Sequence, residues 1–208
     1  MNKGKLIIIS APSGCGKSTI IGDIMDRGEL DLQFSVSATN RKPRPGEVDG
    51  VSYHFLSDEE FKDLIANGAF VEYEQVYPGR YYGTLRSEIQ NRVDAGHNVI
   101  LDIDVNGGMN VRRQFGDEAL SIFIAPPSID ELRRSPDGAA PSAIDELRRR
   151  LVQRGSESPE AIEERVGRAE YELGFRDRFD HVVVNDELPR AIGEIEKLMA
   201  DFINIDKN

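Results

Sequence analysis

Leu6-Ile-Ile-Ile-Ser10, followed by Ala11-Pro-Ser-Gly-Cys-Gly-Lys-Ser18 and Thr19, is the stretch on which the fold turns. A short continuous apolar run suits a strand buried on both faces, as in parallel sheets. Residues 11–18 match G-x-x-x-x-G-K-[ST], with Ala11 at the first glycine, a position that asks mainly for a small residue. Gly14 and Gly16 let the backbone fold around phosphate oxygens with its N–H groups turned inward. Ser18–Arg27 then reads as a helix, and its N-terminus adds the positive end of a dipole. Lys17 offers a point charge to terminal phosphates, and the Ser18 hydroxyl can ligate Mg2+. A glycine-rich turn with an incidental lysine would lack this order of strand, loop, Gly-Lys-Ser-Thr and helix. Ala11, Pro12, Ser13, Gly14, Cys15, Gly16, Lys17, Ser18 and Thr19 are therefore the candidate nucleotide-phosphate site.

Three more segments read as buried strands: Val99–Val105, Ser121–Ala125 and His181–Val184. Helical patterns alternate with them. Ser57 with Glu60 three residues on is a capping box, opening a helix that carries Phe61, Leu64 and Ile65 on one face and closes at Gly68. Leu85–Ala95 reads as a helix stopped by Gly96, and Ser158-Pro159 as the N-cap and first residue of a helix to about Gly174. From Pro189 a last helix spaces Ile192, Ile195, Leu198, Met199 and Phe202 on one face. Strands alternating with helices imply an α/β fold with right-handed crossovers. The stretch from about Phe34 to Gln90, rich in Tyr, Thr, Ser and Gly, reads as a smaller, partly β lobe inserted into that core.

Composition narrows the function. The chain has 208 residues, enough for one domain, with 26 basic and 37 acidic residues, a net charge of −11. Coating of nucleic acid needs a basic surface, so no nucleic-acid partner is expected; a small phosphorylated ligand needs only a local basic pocket. Cys15 alone excludes an internal disulfide, and His54, His97 and His181 show no metal-ligand spacing. No apolar run approaches the roughly 20 residues that span a bilayer, and no signal peptide is evident, so a cytoplasmic protein without a membrane partner is expected. Cys15 sits at a helix N-terminus, where a thiol pKa can fall, although a small residue that simply fits is the plainer reading.

Three further clusters carry chemistry. In Ile100-Leu-Asp-Ile-Asp-Val105, strand alternation puts Asp102 and Asp104 on one face. A carboxylate at the end of a buried strand suits the acid that steadies Mg2+ beside a phosphate loop. In Ser37-Ala-Thr-Asn-Arg41-Lys-Pro-Arg44, two guanidinium forks lie close together and match phosphate oxygens. Arg150 and Arg154, four apart, share a helix face, and Arg165 lies eleven further on in register. Ile129-Asp-Glu-Leu-Arg-Arg134 recurs as Ile144-Asp-Glu-Leu-Arg-Arg149, offset by 15 residues. A single short offset is no solenoid; it reads as a local tandem duplication.

Taken in order, these motifs strongly resemble the guanylate kinases, from about Lys5 to Phe202 apart from the extra 15 residues. The landmarks are Ser10–Thr19, Phe34–Glu47, Glu72–Tyr73, Tyr81-Tyr-Gly-Thr84, Leu101-Asp-Ile-Asp104, Phe123-Ile-Ala-Pro-Pro127 and Val184-Asn-Asp-Glu-Leu188. The resemblance implies an α/β P-loop NTPase three-layer fold with a parallel-sheet core, a small mixed α/β GMP-binding lobe and a helical lid. It divides a single domain 1–208 into core (1–34, 91–128 and 175–208), GMP-binding lobe (35–90), duplicated helix and insert (129–149) and lid (150–174). It implies ATP:GMP phosphotransfer, with GMP and ATP as partners and Mg2+ accompanying ATP. Arg41 and Arg44 would hold the GMP phosphate, helped by Tyr53 and Tyr82; Ser37, Glu72, Thr84 and Asp104 would read guanine. A carboxylate such as Glu72 accepts from guanine N1–H and N2–H₂, an arrangement adenine lacks. Lys17, Arg41, Arg44, Arg150, Arg154 and Arg165 would form the catalytic set, Asn185 would lie at the adenine of ATP, and Ser18 with Asp102 would serve the metal.

The duplication is the departure from the family pattern. Only its second copy runs on into Arg150, so that copy is expected to hold the family's helix position while residues 128–143 loop out near the lid. Slower or weaker use of ATP than in a chain lacking the 15 residues is expected. Three rivals remain: a lid-impaired form that binds GMP without turnover, a related P-loop kinase of a sugar phosphate, and a partner-binding module without catalysis. The intact Gly16-Lys17-Ser18 speaks against the last, and Ser37, Glu72 and Asp104 against the sugar phosphate.

Overall fold

The N-terminal apolar run forms β1 (Leu6–Ser10), every residue of it buried, in the computed structural model. The structure describes residues 3–127, 148–149, 152 and 159–204. The chain separates into two units, one of residues 1–8 and 31–120, the other of residues 9–30 and 121–208.

In the first unit, β2 (Leu32–Phe34) pairs in parallel with β7 (Asn98–Asp102). Leu6, Ile8, Val71, Ile89, Val93, Val99, Leu101 and Val111 make its main core. A second sheet of order β4-β3-β6-β5 lies wholly within residues 38–85: β3 (Ala38–Thr39), β4 (His54–Phe55), β5 (Phe70–Tyr77) and β6 (Arg80–Leu85). Helix α2 (Asp58–Ala66) opens with the expected capping box, since Ser57 Oγ accepts from the Glu60 N–H at 3.2 Å and Glu60 returns a carboxylate to the Ser57 N–H at 2.7 Å. Its Phe61 stacks on Phe70 of β5 with ring centroids 4.6 Å apart. That contact fastens α2 to the sheet that carries the lobe's polar residues. Helix α3 (Arg86–Asp94) follows β6 without a loop, with Leu85 as its N-cap.

In the second unit, α1 (Lys17–Arg27) is bounded by two glycines in the left-handed region, Gly16 (φ 87°) and Gly28 (φ 64°). It buries Ile20, Ile21 and Ile24 and packs with α6 (Leu188–Asn204), whose Ala191, Ile192, Ile195 and Met199 are buried at helical spacing. Arg27 ties the two helices by an ion pair to Glu196 of α6 (3.0 Å) and pairs within α1 with Asp23 (2.6 Å). Strand β8 (Ala119–Ala125), buried throughout, pairs in parallel with β9 (His181–Val184) from Ile122↔His181 to Ala125↔Val184. Asp180 locks the start of that pairing by accepting from the Ser121 N–H and hydroxyl at 2.8 and 2.7 Å. Helix α5 (Pro159–Leu173) begins at the proline where it was expected. The five-stranded sheet has the order β2-β7-β1-β8-β9. Consecutive strands are therefore not always neighbours, which parallel crossovers require.

The strand expected over Val99–Val105 ends at Asp102. Asp104 is instead the N-cap of α4 (Val105–Phe115), its Oδ1 accepting from the Gly107 N–H at 2.8 Å. The reason is local: an aspartate before Val-Asn-Gly-Gly gains more from satisfying an orphan helix N–H than from one more strand position. Alternation along a strand therefore does not relate Asp102 to Asp104. The repeat and its intervening segment fall outside the described residues apart from Arg148 and Arg149.

Candidate active site

The phosphate loop belongs to the second unit. Gly14 (φ 93°) and Gly16 (φ 87°) both take left-handed backbone, the conformation for which the loop needs glycine. The Cys15 N–H donates to the Pro12 carbonyl at 3.2 Å, and the Ile20 N–H to the Gly16 carbonyl at 3.0 Å, so the loop passes directly into α1. Ala11, Pro12 and Cys15 are buried; Ser13, Gly14, Gly16 and Lys17 are half-buried; Ser18 and Thr19 are exposed on the first helical turn. Burial of Cys15, 1% exposed, favours packing over reactivity for its thiol. Asn185, just past β9, is also buried, and its side-chain amide donates to the Cys15 carbonyl at 2.8 Å.

The guanine- and phosphate-reading candidates belong to the first unit and form two groups. In one, Arg41 is the hub. Its guanidinium makes a two-pronged ion pair with Glu47 (2.6 and 2.7 Å), donates through Nε to the Tyr82 hydroxyl (3.1 Å), and lies over the Tyr53 ring at 4.8 Å from its centroid. Tyr53 meets Tyr82 edge-on at 5.9 Å. Asn40 braces the segment before Arg41: its amide donates to Asp58 and to the Gly79 carbonyl, and its oxygen accepts from the Tyr81 N–H. Glu47 also accepts from the Arg44 backbone N–H at 2.7 Å, and the Arg44 side chain is exposed. Hydrogen bonds from Arg41 hold the Glu47 carboxyl down at about 2, and the same pair raises Arg41 above its ordinary value. The sequence reading passed over Glu47, although its place three residues after Arg44 in a Pro-Gly turn is a signal for such a contact.

The second group gathers around Glu72. The register of β5 on β6 sets Glu72 opposite Thr84 and Glu74 opposite Tyr82. The Thr84 hydroxyl donates to Glu72 Oε1 at 2.6 Å, and both residues are buried. The other carboxylate oxygen lies over Gly107 in the first turn of α4; a Cβ there would stand 2.6 Å from Glu72 Oε2 and 3.4 Å from Asp104 Oδ1. Burial pushes the Glu72 carboxyl up to about 7; the bond from Thr84 opposes this, and the nearby charges of Asp104 and Glu74 add to it. A buried carboxylate with one oxygen spent and one aimed past a glycine suits a pair of N–H donors on a planar base. Ser37 is half-buried, and its backbone carbonyl accepts from the His54 N–H at 2.9 Å. Asp102 is half-buried at the end of β7.

Of the expected lid arginines, Arg150 and Arg154 lie outside the described residues, and for Arg165 only its helical backbone in α5 is described. Arg148 of the second repeat copy forms an ion pair with Glu163 of α5.

A parallel strand running through a glycine loop into a helix, with a sheet of crossover topology, defines an α/β P-loop NTPase fold, the class of the nucleotide and small-molecule kinases. Comparison with known proteins narrows the class. The guanylate kinase family model matches residues 3–202. A guanylate kinase of Bacteroides fragilis is 48% identical over 204 residues, 98% of this chain and 92% of that protein. One of Porphyromonas gingivalis is 48% identical over 199 residues, 96% of this chain and 98% of that protein. The crystal structure of guanylate kinase from Anaplasma phagocytophilum, 28% identical, matches with a TM-score of 0.74 over 97% of this chain and 87% of that one. The chain belongs to the guanylate kinase family.

Proposed function

We propose that this chain transfers the terminal phosphoryl group of ATP to GMP, yielding ADP and GDP. The observation that carries the choice of acceptor is the buried Glu72, held by Thr84 with its second oxygen over Gly107. It offers acceptors to guanine N1–H and N2–H₂, where adenine would present a mismatched edge. Arg41, braced by Glu47, Tyr53 and Tyr82, would meet the GMP phosphate together with Arg44. A GMP phosphate oxygen forms a bond to the γ-phosphorus as the bond from that phosphorus to the leaving ADP oxygen breaks. No covalent enzyme intermediate is needed; the protein contributes position and positive charge. The loop 11–19 would bind the ATP phosphates through its N–H groups and Lys17, and Arg150, Arg154 and Arg165 would neutralise the charge that moves. The ion pair from Arg148 to Glu163 supports the second repeat copy as the one in register with that segment.

Mg2+ fits the donors expected to serve it: the Ser18 hydroxyl, exposed on the first turn of α1, and the Asp102 carboxylate at a strand end are the hard oxygens this ion prefers. It would screen the ATP phosphates. The proposed substrates are free nucleotides, which supports a protein acting in the cytoplasm; no described helix is long and apolar enough to cross a membrane.

The test is ADP formation from ATP and Mg2+ with GMP, AMP, UMP or no acceptor, alongside calorimetric GMP binding. Turnover with GMP alone is expected. Equal turnover with AMP would refute the role of Glu72, and GMP binding without turnover would place a fault in the arginine-bearing segment.

A further inference from the structure

We propose that Asn185 is a positioning residue of the phosphate loop: from the end of β9 its amide holds the Cys15 carbonyl and thereby aims the Gly16 N–H at the phosphates. This rests on the reading of residues 11–19 as the ATP-phosphate site. The family resemblance implied contact of Asn185 with adenine; its amide nitrogen instead donates to the loop. Asn185 is 6% exposed, and its Nδ2 donates to the Cys15 carbonyl at 2.8 Å across 170 residues of sequence. A carbonyl can only accept, so the nitrogen end of the amide is the end that faces the loop. The Asn185 backbone is itself anchored, its N–H donating to the Ala125 carbonyl at the end of β8 at 2.9 Å.

The approach is as close as the chain permits. A Cβ on Gly16 would stand 2.6 Å from Asn185 Nδ2, and Gly16 has φ 87°. Glycine is thus demanded twice at this position, by backbone conformation and by the asparagine. The consequence for binding follows from the peptide unit. The Cys15–Gly16 peptide is planar and trans, so its carbonyl and its N–H point in opposite directions. Fixing the carbonyl toward Asn185 fixes the Gly16 N–H away from it. The preceding N–H, that of Cys15, is already spent on the Pro12 carbonyl. An aspartate of the same shape would set a lone pair against the carbonyl, and an alanine would remove the donor that Asn185 supplies to it.

The experiment separates phosphate from base. Calorimetry would measure tripolyphosphate, which has phosphates and no base, and adenosine, which has a base and no phosphates, on wild type, Asn185→Ala and Asn185→Asp; steady-state kinetics would give KM for ATP. Both variants are expected to bind tripolyphosphate about tenfold more weakly and to raise KM for ATP by a similar factor. Adenosine and GMP affinities should stay within about twofold. Asn185→Asp should recover toward wild type as pH falls, because a protonated carboxyl regains a donor for Cys15. Unchanged tripolyphosphate binding with weakened adenosine binding would overturn the proposal and make Asn185 a reader of the base. Should Asn185→Ala lose GMP binding through misfolding, Asn185→Asp decides, and absence of acid recovery would overturn the proposal. Wild type that ignores tripolyphosphate would refute the phosphate-loop reading itself, and the positioning role with it.

Discussion

Glu72 makes the lobe's stability depend on pH in a direction opposite to that of an ordinary paired carboxylate. Its folded-state pKa is near 7 against an ordinary 4.5, chiefly because it is buried. The folded protein therefore holds a proton that the unfolded chain releases above pH 4.5. The contribution is fully present below 4.5 and is lost as pH rises through 7. The whole gap corresponds to about 3 kcal/mol, and between pH 5 and pH 8 about 2 to 3 kcal/mol of it is lost. Glu72→Gln keeps an acceptor for Thr84 and removes the titration. Urea unfolding of nucleotide-free protein at pH 5 and pH 8 would show it. Wild type should lose that amount relative to Glu72→Gln, a midpoint difference of about 1 M for a slope near 2 kcal/mol/M. Parallel profiles for the two proteins would refute the reasoning. The same proton must leave before the carboxylate can accept two guanine N–H groups, so GMP binding below pH 7 should release it, and binding to Glu72→Gln should not.

Gly107→Ala would put a methyl 2.6 Å from Glu72 Oε2; we expect KM for GMP to rise about tenfold with KM for ATP unchanged in steady-state assays, the loss of roughly one hydrogen bond to a charged group. Lys17→Met should lower kcat by about 10²- to 10³-fold, the usual cost of removing a group that stabilises transferring charge, while calorimetric GMP affinity holds. Glu47, held down at about 2 by Arg41, contributes stability that is present above pH 4.5 and lost as pH falls toward 2. Glu47→Gln should therefore flatten the acid limb of a circular dichroism titration, and an unchanged acid limb would show that the pair contributes nothing.

The phosphate loop, the helix α1 that follows it, the capping box at Ser57, the start of α5 and the apolar face of α6 were legible from sequence alone. Each depends on neighbours within a turn or two, so spacing and residue type carry the physics: glycine for left-handed backbone, serine with glutamate for orphan N–H groups, apolar residues at helical period. The strands of two or three residues, β2, β3 and β4, are too short for any period to register. Asp104 was misread because a strand and an N-cap both accommodate aspartate after an apolar residue, and the hydrogen bond to Gly107 chooses between them. Family resemblance put Glu72, Thr84 and Asp104 in one set, but only the register of β5 on β6 sets Thr84 on Glu72, and only the approach of α4 sets Glu72 and Asp104 beside Gly107; together with burial these fix the Glu72 pKa. The bond from Asn185 to Cys15 spans 170 residues. No local pattern encodes such a contact, because it exists only once the chain's path has brought the end of β9 against the loop that follows β1. Sequence thus determined the chemistry that can bind phosphate; tertiary structure decided how that chemistry is aimed.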